Sequence, residues 1–143
     1  MYQYFLKGYE FMLKLYTTNS CTSCRKARRW LIDHDIPFEE KNFGTTPITL
    51  DELKNILILT EEGTEDIISI RSKVFQKLDK DINELPLHEL LELVKDNPGL
   101  LRRPIMIDEK RLQIGFNEDE IRCFLPRAVR KRELSQTLLL SGL

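Results

Sequence analysis

The sequence predicts an α/β domain built on a central mixed sheet of about four strands, with a helical insertion in its middle. Three observations point there. Cys21 and Cys24 form a Cys-x-x-Cys pair where the strand-like run Met12-Leu13-Lys14-Leu15-Tyr16 gives way to a helical pattern. A second strand-like run, Phe38–Asn42, follows that helix at a spacing that suits parallel pairing with the first. Far downstream, Arg103-Pro104 opens a hairpin of two short strands around an Asp108-Glu109-Lys110 turn.

Each element has its own signal. Ala27, Trp30 and Leu31 make an apolar stripe at helical spacing over residues 25–34, and Pro37 is read as the stop. Strand, helix and strand then form one βαβ unit, and a Cys-x-x-Cys at its first strand-to-helix junction is the pattern of a thioredoxin-like fold. The insertion covers about residues 49–97. Thr49-Leu50-Asp51-Glu52 reads as a capping box ahead of Leu53, Ile56, Leu57 and Leu59. Gly63-Thr64-Glu65-Asp66 restarts a short helix through Ile67 and Ile68, and residues 72–78 add an apolar face with Val74 and Phe75. Residues 87–94 turn Leu90, Leu91, Leu93 and Val94 inward before Asn97-Pro98-Gly99 closes the run. After the hairpin, Asn117-Glu118-Asp119-Glu120 is expected to cap a helix by reciprocal hydrogen bonds, with Ile121, Phe124 and Leu125 inward and Pro126 at its end. The single domain is placed at residues 12–126, and residues 127–143 form a tail that is basic and then apolar.

The chain has 143 residues, 41% apolar and 31% charged, with a net charge of -1, which suits one soluble domain with a core of its own. Residues 1–11 carry Lys7 as their only positive side chain and no continuous apolar stretch, so neither a secretory signal nor a membrane span is read there. Lys7-Gly8 can be encoded by purine-rich codons of the bacterial ribosome-binding type, and translation is expected to start at Met12. Three cysteines without a signal point to a reducing compartment, hence a cytoplasmic protein, expected to be a monomer. Charge is uneven: Glu61, Glu62, Glu65 and Asp66 crowd one stretch, whereas Arg122, Arg127, Arg130, Lys131 and Arg132 fall in a run without acids. No basic recognition helix stands in the interior, which argues against direct DNA reading.

Chemistry is expected at the thiol pair. Residues three apart at a helix start lie on one face, so Cys24 can reach back to Cys21 and close a disulfide. The free N–H groups and dipole there favour the thiolate of the outer cysteine, Cys21, with Arg25, Lys26, Arg28 and Arg29 adding positive field. The intervening Thr22 and Ser23 argue against two inert buried cysteines. Zinc would need two further ligands, yet Cys123, His34 and His88 stand singly along the chain, so no metal or other cofactor is expected.

Several stretches together resemble the Spx regulators of Gram-positive bacteria, within the wider arsenate-reductase-like group. They are Cys21-Thr22-Ser23-Cys24-Arg25-Lys26-Ala27, Gly63-Thr64, Ile67-Ile68-Ser69, Arg71-Ser72-Lys73-Val74-Phe75-Gln76-Lys77-Leu78 and Pro98-Gly99-Leu100-Leu101-Arg102-Arg103-Pro104-Ile105. Asp108-Glu109-Lys110-Arg111-Leu112-Gln113 and Gly115-Phe116-Asn117-Glu118-Asp119-Glu120-Ile121-Arg122 extend the likeness. The resemblance implies a transcription regulator that binds the C-terminal domain of the RNA polymerase α subunit, meets DNA only through polymerase, blocks some activators and switches on thiol-stress genes when its thiol pair is oxidised. By position it makes Cys21 and Cys24 the sensing pair, Gly63 part of the polymerase-contacting surface, and Arg103 the basic residue that responds to the pair. It also implies turnover by an ATP-dependent protease and its adaptor, although Leu140-Ser141-Gly142-Leu143 departs from the family's common ending.

The competing reading is an arsenate reductase or related thiol-disulfide oxidoreductase, with Asn19, Cys21, Arg25, Arg71 and Arg103 around an oxyanion. The reductases carry a further arginine after the glycine of the fourth strand, where this chain has Gly115-Phe116-Asn117. Loss of one cation from a water-excluded anion clamp costs a few kcal/mol of binding, about 2 to 4. A second thiol three residues on would also trap the nucleophile as an internal disulfide, which suits a sensor.

Overall fold

The computed structural model describes residues 12–79 and 81–142, so the extension at 1–11 lies outside the described residues. Strand β1 (Leu13–Thr17) starts one residue later than its sequence pattern, and β2 (Phe38–Asn42) pairs with it in parallel from Leu13 opposite Phe38 to Thr17 opposite Asn42. Strands β3 (Ile105–Ile107) and β4 (Leu112–Ile114) form the hairpin, and β3 runs antiparallel to β1, giving the order β2-β1-β3-β4. The mixed thioredoxin-like sheet is therefore present.

Alternation along the central strands sorts side chains onto two faces. Leu13, Leu15 and Met106 face helix α1 (Thr22–Asp33), where Ala27, Trp30 and Leu31 meet them with Ile121, Phe124 and Leu125. Tyr16, Ile105 and Ile107 face the other way, onto the insertion. Burial of each large aliphatic side chain is worth about 1.5–3 kcal/mol, so the strands are held from both sides. Helix α1 ends before Pro37 acts: His34 donates its N–H to the Trp30 carbonyl, and Asp35 turns the chain at φ 54°. Non-glycine residues tolerate that conformation only at tight turns.

The insertion contains α2 (Leu50–Ile58), α3 (Thr64–Ile67), α4 (Lys73–Gln76) and α5 (Leu87–Asp96), with single 3-10 turns at Ile82–Glu84 and Pro98–Leu100. The Thr49 capping box is complete: the Glu52 N–H donates to Thr49 Oγ1 at 3.1 Å, and the Thr49 N–H donates to Glu52 Oε1 at 3.2 Å. Leu53, Ile56, Leu90, Leu91 and Val94 are core, whereas Leu57, Leu59 and Leu93 stay half-buried at the margin. A Cβ on Gly99 would fall 2.7 Å from Val74 Cγ2, so only glycine lets the 98–100 turn lie against α4.

The cap expected beyond the hairpin changes. Asn117 Oδ1 accepts the N–H groups of Asp119 and Glu120 at 2.9 and 3.0 Å, but the Glu120 carboxylate turns away to accept from Gln113 Nε2 at 2.9 Å. The cap is therefore one-sided, and the segment it opens is a 3-10 helix, Glu120–Phe124. The basic-then-apolar tail is helical as α6 (Arg127–Leu140), tethered by an Arg122–Glu133 ion pair and by Val129 packed on the α1 side of the core.

One polar cluster joins the insertion to the sheet. Tyr16 donates its hydroxyl to Glu52 Oε2 at 2.6 Å, and Lys41 donates to Glu52 Oε1 at 2.5 Å. Burial pushes the Glu52 carboxyl up, but Lys41, Tyr16 and the Thr49 N–H outweigh it and hold it down at about 2. A carboxyl lowered by folding stabilises the fold above its ordinary value and loses that contribution as pH falls through the lowered one. Urea midpoints are therefore expected to fall between about pH 4.5 and 2 in the native chain, and to fall less across that window in Glu52→Gln.

Candidate thiol site

The loop between β1 and α1 places both sulfurs. Ser20 turns the chain at φ 56°, and Cys21 follows in an extended conformation as the N-cap of α1. Its Sγ accepts the Cys24 backbone N–H at 3.2 Å, the bond that a serine or aspartate oxygen makes at an ordinary helix start. Cys21 is part-exposed and Cys24 is buried at 1% exposure. The buried position corrects the expectation of an open setting for both thiols: Cys24, Ala27 and Leu31 share the inward face of α1, whatever lies between the cysteines. Burial, and a hydrogen bond to Cys21, push the Cys24 thiol up to about 12, against the lowering influence of Arg103. Cys24 is thus a neutral thiol at physiological pH, held beside a more accessible sulfur.

Arg103 stands at the same end of the sheet. It precedes buried Pro104 through a cis peptide bond, and the Gly115 N–H donates to the Pro104 carbonyl at 2.8 Å. Its guanidinium reaches the Thr18 hydroxyl at 3.3 Å and the Gly99 carbonyl at 3.5 Å, both long bonds to neutral acceptors. No carboxylate pairs with it among the described residues.

Gly63 stands apart from this cluster, as the N-cap of α3 at φ 74°. A Cβ there would meet nothing within 4 Å, so the space beside it is open. Its link to Arg103 is through backbone: Arg102 N–H donates to Ile67 O at 2.8 Å and Ser69 N–H to Leu100 O at 2.7 Å, around an Ile68–Leu101 bridge.

The rival set is only partly assembled. Arg71 and Arg103 line one open cleft of about 540 Å³ with Ser69, Arg102 and Gly115. Asn19 Oδ1 instead accepts from Asn42 Nδ2 at 2.8 Å, and Arg25 donates to Thr22 at 3.0 Å. Cys123 is part-buried; burial pushes its thiol up, and its carbonyl accepts the Arg111 guanidinium. Among the described residues no three His, Cys, Asp or Glu side chains gather as a metal site, and no helix is long and apolar enough to cross a membrane. Sequence reasoning missed the Arg28–Glu40 pair, in which Arg28 donates twice at 2.6 Å beside the thiols. The four-residue step from Cys24 to Arg28, joined to the β1–β2 register, was the available signal.

The ArsC family model matches residues 16–124. The global transcriptional regulator Spx of Enterococcus faecalis is 70% identical over 92% of this chain and 100% of its own length. The chain belongs to the Spx family of global transcriptional regulators. The Bacillus subtilis Spx is 58% identical over 92% of this chain and all of its own length. An ArsC-family-related protein from Bacteroides fragilis shares the fold with a TM-score of 0.68, at 23% identity, over 78% of this chain and 96% of that one. In this member of the Spx family, then, the Cys-x-x-Cys pair stands at the first helix of the mixed sheet's βαβ unit.

The two thiols should differ in reactivity. With the native reduced protein at neutral pH, iodoacetamide is expected to label Cys21 and to leave Cys24 unlabelled until the chain is unfolded, as read by peptide mass spectrometry. Equal labelling of both would contradict the burial and the raised value of Cys24.

Proposed function

We propose that this chain is a redox-sensing global transcriptional regulator rather than an enzyme, which binds the C-terminal domain of the RNA polymerase α subunit, blocks activator contacts and activates thiol-stress genes. The reading rests on one observation above the rest: the part-exposed sulfur of Cys21 accepts the backbone N–H of Cys24, whose own thiol is buried in the same first turn of α1. A two-electron oxidant such as a peroxide takes an electron pair from the Cys21 sulfur, forming a sulfenic acid and releasing water. The Cys24 sulfur then attacks that sulfur, a second water leaves, and the disulfide closes. Both thiol protons end in water.

Signal transfer follows from charge. Arg103 is held only by two long bonds to neutral oxygens at the same end of the sheet, so in this reading its guanidinium is the group free to respond when the thiol pair becomes a disulfide. The backbone bridge from residues 100–102 to 67–69 is continuous with α3 and Gly63, the surface offered to polymerase. A coupling of about 1–3 kcal/mol along it would change affinity roughly 5- to 150-fold. Among partners, an ATP-dependent protease and its adaptor fit the exposed C-terminal helix, where Leu139 and Leu140 are 77% and 90% exposed.

Capture of the C-terminal domain of the polymerase α subunit tests the reading. Gly63→Arg puts a long cation into the proposed contact at a glycine-favoured backbone conformation, φ 74° and ψ -133°, that costs a side chain about 1–3 kcal/mol. It is expected to abolish capture while circular dichroism stays native, and Arg103→Ala is expected to remove the difference between oxidised and reduced samples. Capture unchanged by Gly63→Arg would remove that surface, and arsenate-dependent thiol consumption at enzymatic rates would favour a reductase.

A further inference from the structure

We infer that Glu40 is a positioning residue for the thiol pair: by clamping Arg28 it neutralises a second cation beside Cys21 and Cys24 and so sets how readily the pair is oxidised. The inference rests on the redox reading above and deepens it.

The clamp is a built feature. Arg28 donates Nε and Nη2 to the two carboxylate oxygens of Glu40, both at 2.6 Å. Parallel bonds of this kind hold a guanidinium at a fixed place. Thr17, fully buried, donates its hydroxyl to the same carboxylate at 2.9 Å, so Glu40 is itself held from β1. Arg28 lies one helical turn after Cys24 and two after Cys21, on their side of α1, and both sulfurs bear electrostatically on its guanidinium. Side-chain exposures of 35% and 29% leave the pair partly shielded from solvent screening.

Two arginines therefore flank the pair in different states. Arg28 is saturated by a carboxylate, and Arg103 is held by a hydroxyl and a carbonyl. Thr17 and Thr18, adjacent in the chain, receive one arrangement each. With Arg28 quenched, the field that changes on oxidation is felt chiefly by Arg103. A freed Arg28 would stabilise the Cys21 thiolate, hence the reduced state, and would compete with Arg103 for it.

Equilibration against dithiothreitol reads this directly: protein dithiol and oxidised dithiothreitol exchange two electrons and two protons to give protein disulfide and reduced dithiothreitol. Glu40→Gln is expected to lower the equilibrium constant for oxidation about tenfold, equivalent to roughly 30 mV toward a more oxidising couple. Arg28→Gln, which leaves a bare carboxylate, should shift it in the opposite direction. The double variant Arg28→Gln/Glu40→Gln should return to within about twofold of the native chain. General loosening of α1 cannot give opposite signs that cancel. Equal shifts of one sign in both single variants, or no shift in Glu40→Gln, would overturn the inference. Failure of the native chain to form a Cys21–Cys24 disulfide would instead overturn the redox reading beneath it.

Discussion

The N–H of Cys24 aimed at the sulfur of Cys21 is the contact on which the site depends. A helix start leaves N–H groups without partners, and most chains satisfy them with an oxygen. Here a sulfur does so, which makes the cap chemically variable. As a free sulfur it completes the helix start by accepting the Cys24 N–H; in the proposed disulfide the same sulfur would be bonded to Cys24 and would carry no ionisable proton. The proposed disulfide needs little movement, because both sulfurs already share the first turn of α1.

The scaffold keeps that turn in place. Parallel pairing of β1 with β2 fixes the loop that delivers Cys21, while Ala27, Trp30 and Leu31 hold α1 on the sheet through the same face that buries Cys24. The opposite face is packed by the insertion, whose last turn, residues 98–100, depends on Gly99 for its approach to Val74 and offers the Gly99 carbonyl to Arg103. Packing and chemistry thus meet at the segment 98–104, which is tied by backbone bonds to the strand end at Gly115 and to residues 67–69.

Local signals were legible in the sequence because they rest on local physics. The Thr49 capping box, the stripe of Ala27, Trp30 and Leu31, the β2 boundaries and the hairpin each need only a few neighbouring residues, and each is present. Where distant groups compete, the local reading changed. Glu120 leaves its expected cap for Gln113 on β4, and the helix it would have opened is a 3-10 turn. Asp35, rather than Pro37, ends α1 through a positive φ. At the site, the thiol spacing and the arginine before Pro104 were visible, but the burial of Cys24 followed from the inward face of α1, and the Glu40 clamp on Arg28 required knowing which β2 residue stands beside β1.

A sensor of this kind requires the two sulfurs of α1 to form a reversible bond under mild oxidation in the folded chain. Intact and peptide mass spectrometry after brief diamide treatment reads that bond without any partner protein. A loss of two hydrogens mapped to a Cys21–Cys24 crosslink, reversed by dithiothreitol with native circular dichroism throughout, is the predicted result. Both cysteines recovered as free thiols in a folded, treated sample would contradict it.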